Sequence, residues 1–272
     1  MKLNRIATIA VAAMLAMPAF AQAPEQNAAP QGPRPTMPKQ EVKPGSPQNT
    51  LHAPILPFRK TTVEKVAYNG YEESNQYVKD ADVVFIGDSI TENWYTYHHD
   101  FFDNNNFIAR GIGGQTTISI LCRFRQDAVK LNPKVVVILC GINDVAQNDG
   151  VMDYEDLTDN IIAMCDQAKA NNIKVLLCSL TPCDRFSWNK EAVPAPDVVK
   201  LNEVFKAYAA SAGIQYVDYY SALENGQGGM KEVFTKDGCH PTNEGYNVME
   251  RIIVKEINKA LNTNKDYFVT PE

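Results

Sequence analysis

The sequence predicts an α/β fold, a three-layer α/β/α sandwich on a five-stranded parallel sheet with helices on both faces. Three observations predict it. Five short apolar runs recur along the chain, and apolar residues at helical spacing separate them. The strongest run, "KVVVILCG" (134–141), has no charged residue after Lys134. An unbroken apolar run suits a strand buried on both faces, and regular alternation with helices is the pattern of a parallel sheet.

The elements justify themselves in order. Residues 1–21, "MKLNRIATIAVAAMLAMPAFA", carry Lys2 and Arg5, then an apolar stretch, then Ala19-Phe20-Ala21. That is the pattern of a secretory signal peptide with a small-x-small cleavage site, and its apolar part is short of the ~20 residues that span a bilayer. Export to the periplasm or outside the cell is expected, without a stable membrane anchor. Residues 22–60 hold nine prolines among Gln, Ala, Gly and Lys. Such a segment buries too little apolar area to offset its ordering entropy and reads as a flexible linker. Residues 61–272 have ordinary composition and are long enough for one domain with a sizeable core.

Removing Lys2 and Arg5 with the first 21 residues takes the formal charge from −6 to −8. An acidic surface argues against a nucleic-acid partner, whose phosphates need a basic footprint.

Within the domain, "DVVFIG" (82–87) is the first strand and "NFIARG" (106–111) the second. The third is residues 134–141, the fourth "IKVLLCSL" (173–180) and the last "IQYVDY" (214–219). Between them Ile118, Leu121, Cys122 and Val129 recur at helical spacing, as do Leu157, Ile161, Cys165 and Ala168. Val204 and Tyr208 mark a helix after a proline-bearing loop (182–196), and Val248, Ile252, Ile253, Ile257 and Leu261 mark the last one. Of the six cysteines, none forms C-x-x-C or a zinc-like spacing with histidine. Most read as buried thiols. Cys183 and Cys239, in loops, are the candidate pair for a disulfide, which export permits.

Ligands of such sheets bind beyond the carboxyl ends of the strands, and four stretches there carry chemistry. Asp88 and Ser89 follow the first strand directly, and "TENWY" opens a helix. A serine at that point suits a nucleophile, although helix capping alone explains the pair equally well. The second strand ends in "RGIGGQTT" (110–117). A dinucleotide fingerprint would need glycine where Thr116 stands, which leaves a turn whose N–H groups suit an oxyanion. The third strand ends in "CGINDVAQ" (140–147), with Asn143 as a side-chain donor. Near the end, "DGCHPTNEGY" (237–246) sets His240 three residues after Asp237, so that the carboxylate can reach back to the imidazole.

Each stretch alone is weak; together and in this order they resemble the SGNH (GDSL) hydrolase superfamily. Its four blocks match Gly87-Asp88-Ser89, the Gly113-Gly114 turn, Gly141-Ile142-Asn143-Asp144 and Asp237 to His240. The resemblance covers about residues 80–261. It implies a flavodoxin-like sheet and a serine carboxylic ester hydrolase working through an acyl-serine, with no metal or organic cofactor. Ser89 is then the nucleophile, His240 the base and then acid, and Asp237 its orienter. The oxyanion hole is the Ser89 and Gly114 N–H groups and the Asn143 amide. Gly114 is chosen over Gly113 because family members place this glycine before an Asp/Gln-Thr pair, here Gln115-Thr116.

Substrate is less legible. The stretch after Ser89, read as a loop, offers Trp94, Tyr95, Tyr97, His98 and His99, and the fourth-strand loop offers Arg185, Phe186 and Trp188. Asp88, Trp94, Phe186 and Trp188 are the candidate substrate contacts. Aromatic rims suit sugar rings, so removal of short acyl groups, acetyl first, from a polysaccharide is expected. Open alternatives are a lysophospholipase-type acylhydrolase and a catalytically silent module binding acylated glycan. A metal-dependent hydrolase using His98, His99, Asp100 or Asp237 is disfavoured, because adjacent histidines lack the i, i+4 spacing of a helical metal pair.

Overall fold

The computed structural model describes residues 67–151 and 153–271. The expected signal peptide (1–21) and linker (22–60) lie outside the described residues. A short α1 (Glu72–Asn75) precedes β1 (Val83–Gly87), α2 (Ser89–Tyr97), α3 (His99–Asp103) and β2 (Phe107–Gly111). Next come α4 (Thr117–Asp127), β3 (Val135–Leu139), α5 (Ile142–Val145), α6 (Tyr154–Ala170) and β4 (Lys174–Cys178). The chain continues through α7 (Pro194–Ala212), β5 (Gln215–Val217), α8 (Tyr220–Leu223) and α9 (Asn243–Leu261).

All five strands are parallel, in the order β2-β1-β3-β4-β5. The sheet is therefore the flavodoxin-like one expected, with β3 central and its five residues fully buried. Helices α2, α3 and α9 cover one face, and α4, α6 and α7 the other. Gly87 pairs in register with both Gly111 and Leu139, so β1, β2 and β3 end level with one another. The chain order reverses around β1, which makes this edge the switch point where such sheets bind ligands. A Cβ on Gly111 would collide with the backbone of Thr91 and Glu92, so only glycine lets the first turn of α2 lie against the end of β2.

Helix ends follow local chemistry. The Asp88 side chain accepts the Ile90 N–H and starts α2, and Pro194 opens α7, where its missing N–H costs nothing. Asn262 ends α9 in a left-handed conformation, φ 55°.

The helix faces differ from expectation in two places. In α4, Ile118 and Cys122 are exposed, while Thr117, Ile120, Arg123, Phe124 and Asp127 are buried. The buried guanidinium of Arg123 takes the inner face because each of its three nitrogens has an acceptor. It donates to Gln115 Oε1 (2.6 Å), Asp127 Oδ2 (3.1 Å) and the Gly87 carbonyl (2.8 Å). Hydrophobic periodicity cannot register a buried, paired arginine. In α7 the inward residues are Val198, Leu201, Phe205 and Ala209, and Val204 faces out.

The six cysteines are free thiols, Cys122 exposed and the others buried. The candidate pair Cys183 and Cys239 is not joined in a disulfide. Among the described residues no helix is long and apolar enough to cross a membrane.

Candidate active site

Ser89 is the first residue of α2, so its N–H has no partner within that helix. Its Oγ lies 2.9 Å from His240 Nε2. His240 stands in the loop before α9, and its Nδ1 lies 2.6 Å from Asp237 Oδ2. The other carboxylate oxygen of Asp237 accepts the N–H groups of Cys239 (2.9 Å) and His240 (2.8 Å). One loop thus turns the acid back onto its own histidine, from the end of the chain opposite to the serine.

Electrostatics agree with that geometry. Burial raises the Asp237 carboxyl, but hydrogen bonds from the His240 ring and from the His240 and Cys239 N–H groups outweigh it and hold the acid well below the usual carboxylate range. The hydrogen bond to Asp237 raises the His240 imidazole; burial opposes this, and the charges of Asp237 and Asp88 add to it. An ionised carboxylate only accepts, so the neutral ring carries its proton on Nδ1 and turns the Nε2 lone pair to Ser89.

The two other strand ends bring donors to the same edge. Gly114 adopts φ 75°, a left-handed turn that favours glycine. The Gly113 N–H is already committed, donating to Glu92 Oε2 at 2.7 Å, whereas the Gly114 N–H has no partner among the described residues. Asn143 is the second residue of α5, buried, with its amide donating to the Gln115 carbonyl at 3.1 Å. Its neighbour Asp144 accepts the Thr117 N–H (2.9 Å) and hydroxyl (2.7 Å), tying α5 to the start of α4. Burial lifts Asp144 to about 6.

The expected substrate contacts separate. Asp88 is 1% exposed and caps α2 through Ile90; burial pushes its carboxyl up to about 7. Trp94 is 1% exposed, in an aromatic cluster with Phe85, Phe101 and Tyr246, and its Nε1 donates to the buried Glu250 at 3.2 Å. Phe186 is buried as well. These three assignments are corrected, because a side chain enclosed by protein cannot meet a substrate. Trp188 alone of the four is open, 44% exposed, with its ring centroid 5.8 Å from that of His240. The stretch after Ser89 is helical rather than a loop, which turns Trp94 inward and leaves Tyr95 and Tyr97 exposed.

Beside His240 runs a groove of about 400 Å³ lined by polar side chains, among them Asn93, Tyr97, Lys236, Asn243 and Glu244. Among the described residues no group of three or more His, Cys, Asp or Glu is arranged to hold a metal ion. His98 is buried against Glu250 at 2.7 Å and His99 points to Asp100 at 3.4 Å, so the adjacent histidines diverge. Two site residues escaped the sequence reading, Glu92 and Asn148. Glu92 was legible in principle, three residues after Ser89 on one helix face; nothing in the sequence marks Asn148.

A model of the GDSL-like lipase/acylhydrolase family matches residues 85–248. The chain belongs to this family. A GDSL-like lipase from Bacteroides thetaiotaomicron VPI-5482 is 42% identical to this family member, with a TM-score of 0.70 over 72% of this chain and 98% of that one. Axe2, an acetylxylan esterase from Geobacillus stearothermophilus solved as a catalytic mutant, is 17% identical, with a TM-score of 0.53 over 66% of this chain and 96% of that one. At that identity the likeness shows the fold alone. The uncharacterized lipoprotein YqeF of Bacillus subtilis (strain 168) is 28% identical over 118 residues, 37% of this chain and 49% of that protein. The match with the family member thus spans about half the length of that curated relative.

Proposed function

We propose that this family member removes short acyl groups, acetyl first, from a carbohydrate through an acyl-Ser89 intermediate. The reading rests on one observation: the His240 ring bridges Ser89 Oγ and the Asp237 carboxylate, at 2.9 and 2.6 Å. His240 Nε2 takes the hydroxyl proton as Oγ attacks the ester carbonyl, and Asp237 stabilises the imidazolium. The N–H groups of Ser89 and Gly114 and the Asn143 amide receive the oxyanion. The alcohol leaves with the proton held by His240, and water then repeats the sequence on the acyl-enzyme.

A carbohydrate leaving group is supported by the polar groove beside His240 and by Trp188, whose open ring suits a sugar face. Export is supported by the signal-like residues 1–21 and by the lipoprotein name of the relative matched in part.

The test is a panel of acetylated xylan, acetylated pectin, lysophospholipid and chromogenic esters of increasing acyl length, with wild type and Ser89→Ala. Ser89→Ala is expected to lower turnover by on the order of 10³-fold or more while leaving the fold intact. Wild-type turnover in that variant overturns the assignment. A preference for lysophospholipid or long acyl chains overturns the substrate class and leaves the chemistry standing.

A further inference from the structure

A chain of three side chains leads from the rim of the site into its interior. The exposed Trp188 donates its Nε1 proton to Asn148 Oδ1 at 2.9 Å. Asn148 Nδ2 donates to Asn143 Oδ1 at 2.8 Å and also lies 3.2 Å from the Gly114 carbonyl. An indole N–H can only donate, so it dictates which end of the Asn148 amide faces it. The amide nitrogen of Asn148 is then turned to Asn143, which must answer with its oxygen. With its oxygen so occupied, Asn143 has its Nδ2 toward the Gln115 carbonyl and the strand-end edge that Ser89 shares.

The backbone supports the same arrangement. Gln147 adopts φ 58°, a left-handed conformation uncommon for a residue with a side chain, and the Asn148 N–H donates to the Asn143 carbonyl at 3.0 Å. Asn189, next to Trp188, donates to the Ala146 carbonyl at 3.1 Å and ties the fourth-strand loop to the same segment. A strained residue held by several bonds next to a site is a common mark of pre-organisation.

We propose that Trp188 and Asn148 are positioning residues that set the Asn143 amide, and with it the oxyanion hole, from the substrate-facing rim. The inference rests on the ester-hydrolase reading and extends it. Trp188 has two roles that one substitution separates: its ring borders His240 and substrate, and its N–H orients the relay. Trp188→Phe keeps the ring and removes the N–H. Asn148→Asp keeps the shape and the acceptor for Trp188, and removes both donated bonds.

The experiment measures kcat and KM on a chromogenic acetate ester for wild type, Trp188→Phe, Asn148→Asp, Asn143→Ala and the Trp188→Phe/Asn143→Ala double variant. Trp188→Phe and Asn148→Asp are each expected to lower kcat by about tenfold with KM within about twofold of wild type, and Asn143→Ala by about 10²-fold. In the Asn143→Ala background Trp188→Phe is expected to have no further effect, because the group it positions is gone. The acid-limb pKa of His240 and the unfolding midpoint of Trp188→Phe should match wild type, which separates positioning from general damage.

An undiminished Trp188→Phe effect in the double variant overturns the relay, as does a rise in KM at unchanged kcat. Wild-type kcat in Asn143→Ala fails differently: it removes Asn143 from the oxyanion hole and the relay with it, while Ser89→Ala still reports on the ester-hydrolase reading.

Discussion

Asp237 divides its carboxylate between the His240 ring (2.6 Å) and the N–H groups of Cys239 and His240 (2.9 and 2.8 Å). Neither oxygen is free to rotate, so the imidazole is held in one tautomer. The hydrogen bond to Asp237 raises the His240 pKa above its ordinary value of 6.5. In the proposed mechanism His240 acts only when deprotonated, so kcat/KM should rise with pH through an inflection above 6.5. Asp237→Asn should move that inflection down and lower kcat by on the order of 10³- to 10⁴-fold. A pH–rate profile of both proteins checks it; an unmoved inflection contradicts the pairing.

Glu92 should matter through the turn it grips. Its bond to the Gly113 N–H leaves the following N–H as the unpaired donor. Glu92→Gln keeps an acceptor and should stay near wild type, whereas Glu92→Ala should lower kcat by about tenfold with little change in KM. Equal kinetics of the Gln and Ala variants would show that the turn holds itself.

Asp88 should make stability depend on pH. Burial raises its carboxyl to about 7, so between its unfolded value, near 3.8, and 7 the folded chain keeps a proton that the unfolded chain has released. The stability this supplies is complete below the unfolded value and is lost as pH rises to about 7. Asp88→Asn preserves the cap and should flatten that part of the profile, leaving the slopes from Asp144, which ends near 6, and from His240, which begins near 6.5. Urea midpoints from pH 4.5 to 8 read it directly. An unchanged slope rules Asp88 out as its source.

Trp94 belongs to the core. Trp94→Ala should cost about 3–5 kcal/mol and lower Tm by on the order of 10 °C, with KM for an acetate ester unchanged where the variant is folded. Were Tm to hold and KM to rise, Trp94 would be a substrate contact after all.

Much of this protein is legible in one dimension. Strand runs such as 134–141 and the helical spacing of Leu157, Ile161, Cys165 and Ala168 carry the layer order, because burial on both faces or on one leaves a periodic trace. That Ser89 and Asn143 come to one edge was legible for a related reason: in a parallel sheet, whatever follows a strand shares one edge, whereas His240 lies beyond α8 and was marked only by its spacing from Asp237. What leaves no periodic trace was missed or misread. The arginine within the α4 face is an example, since paired charge and apolar surface look opposite in sequence and equivalent in a core.

The amino-acid order by itself determined the sheet, the edge at which its strands end and the family's motif blocks along it, all consequences of local pattern and chain direction. The tertiary structure alone decided which of the candidate aromatic contacts is open, that Asp88 serves as a cap, and that Trp188 reaches Asn143 through Asn148. Those relations depend on side-chain direction and on contacts across the fold, where a donor-only group constrains an amide, and neither is encoded in sequence spacing.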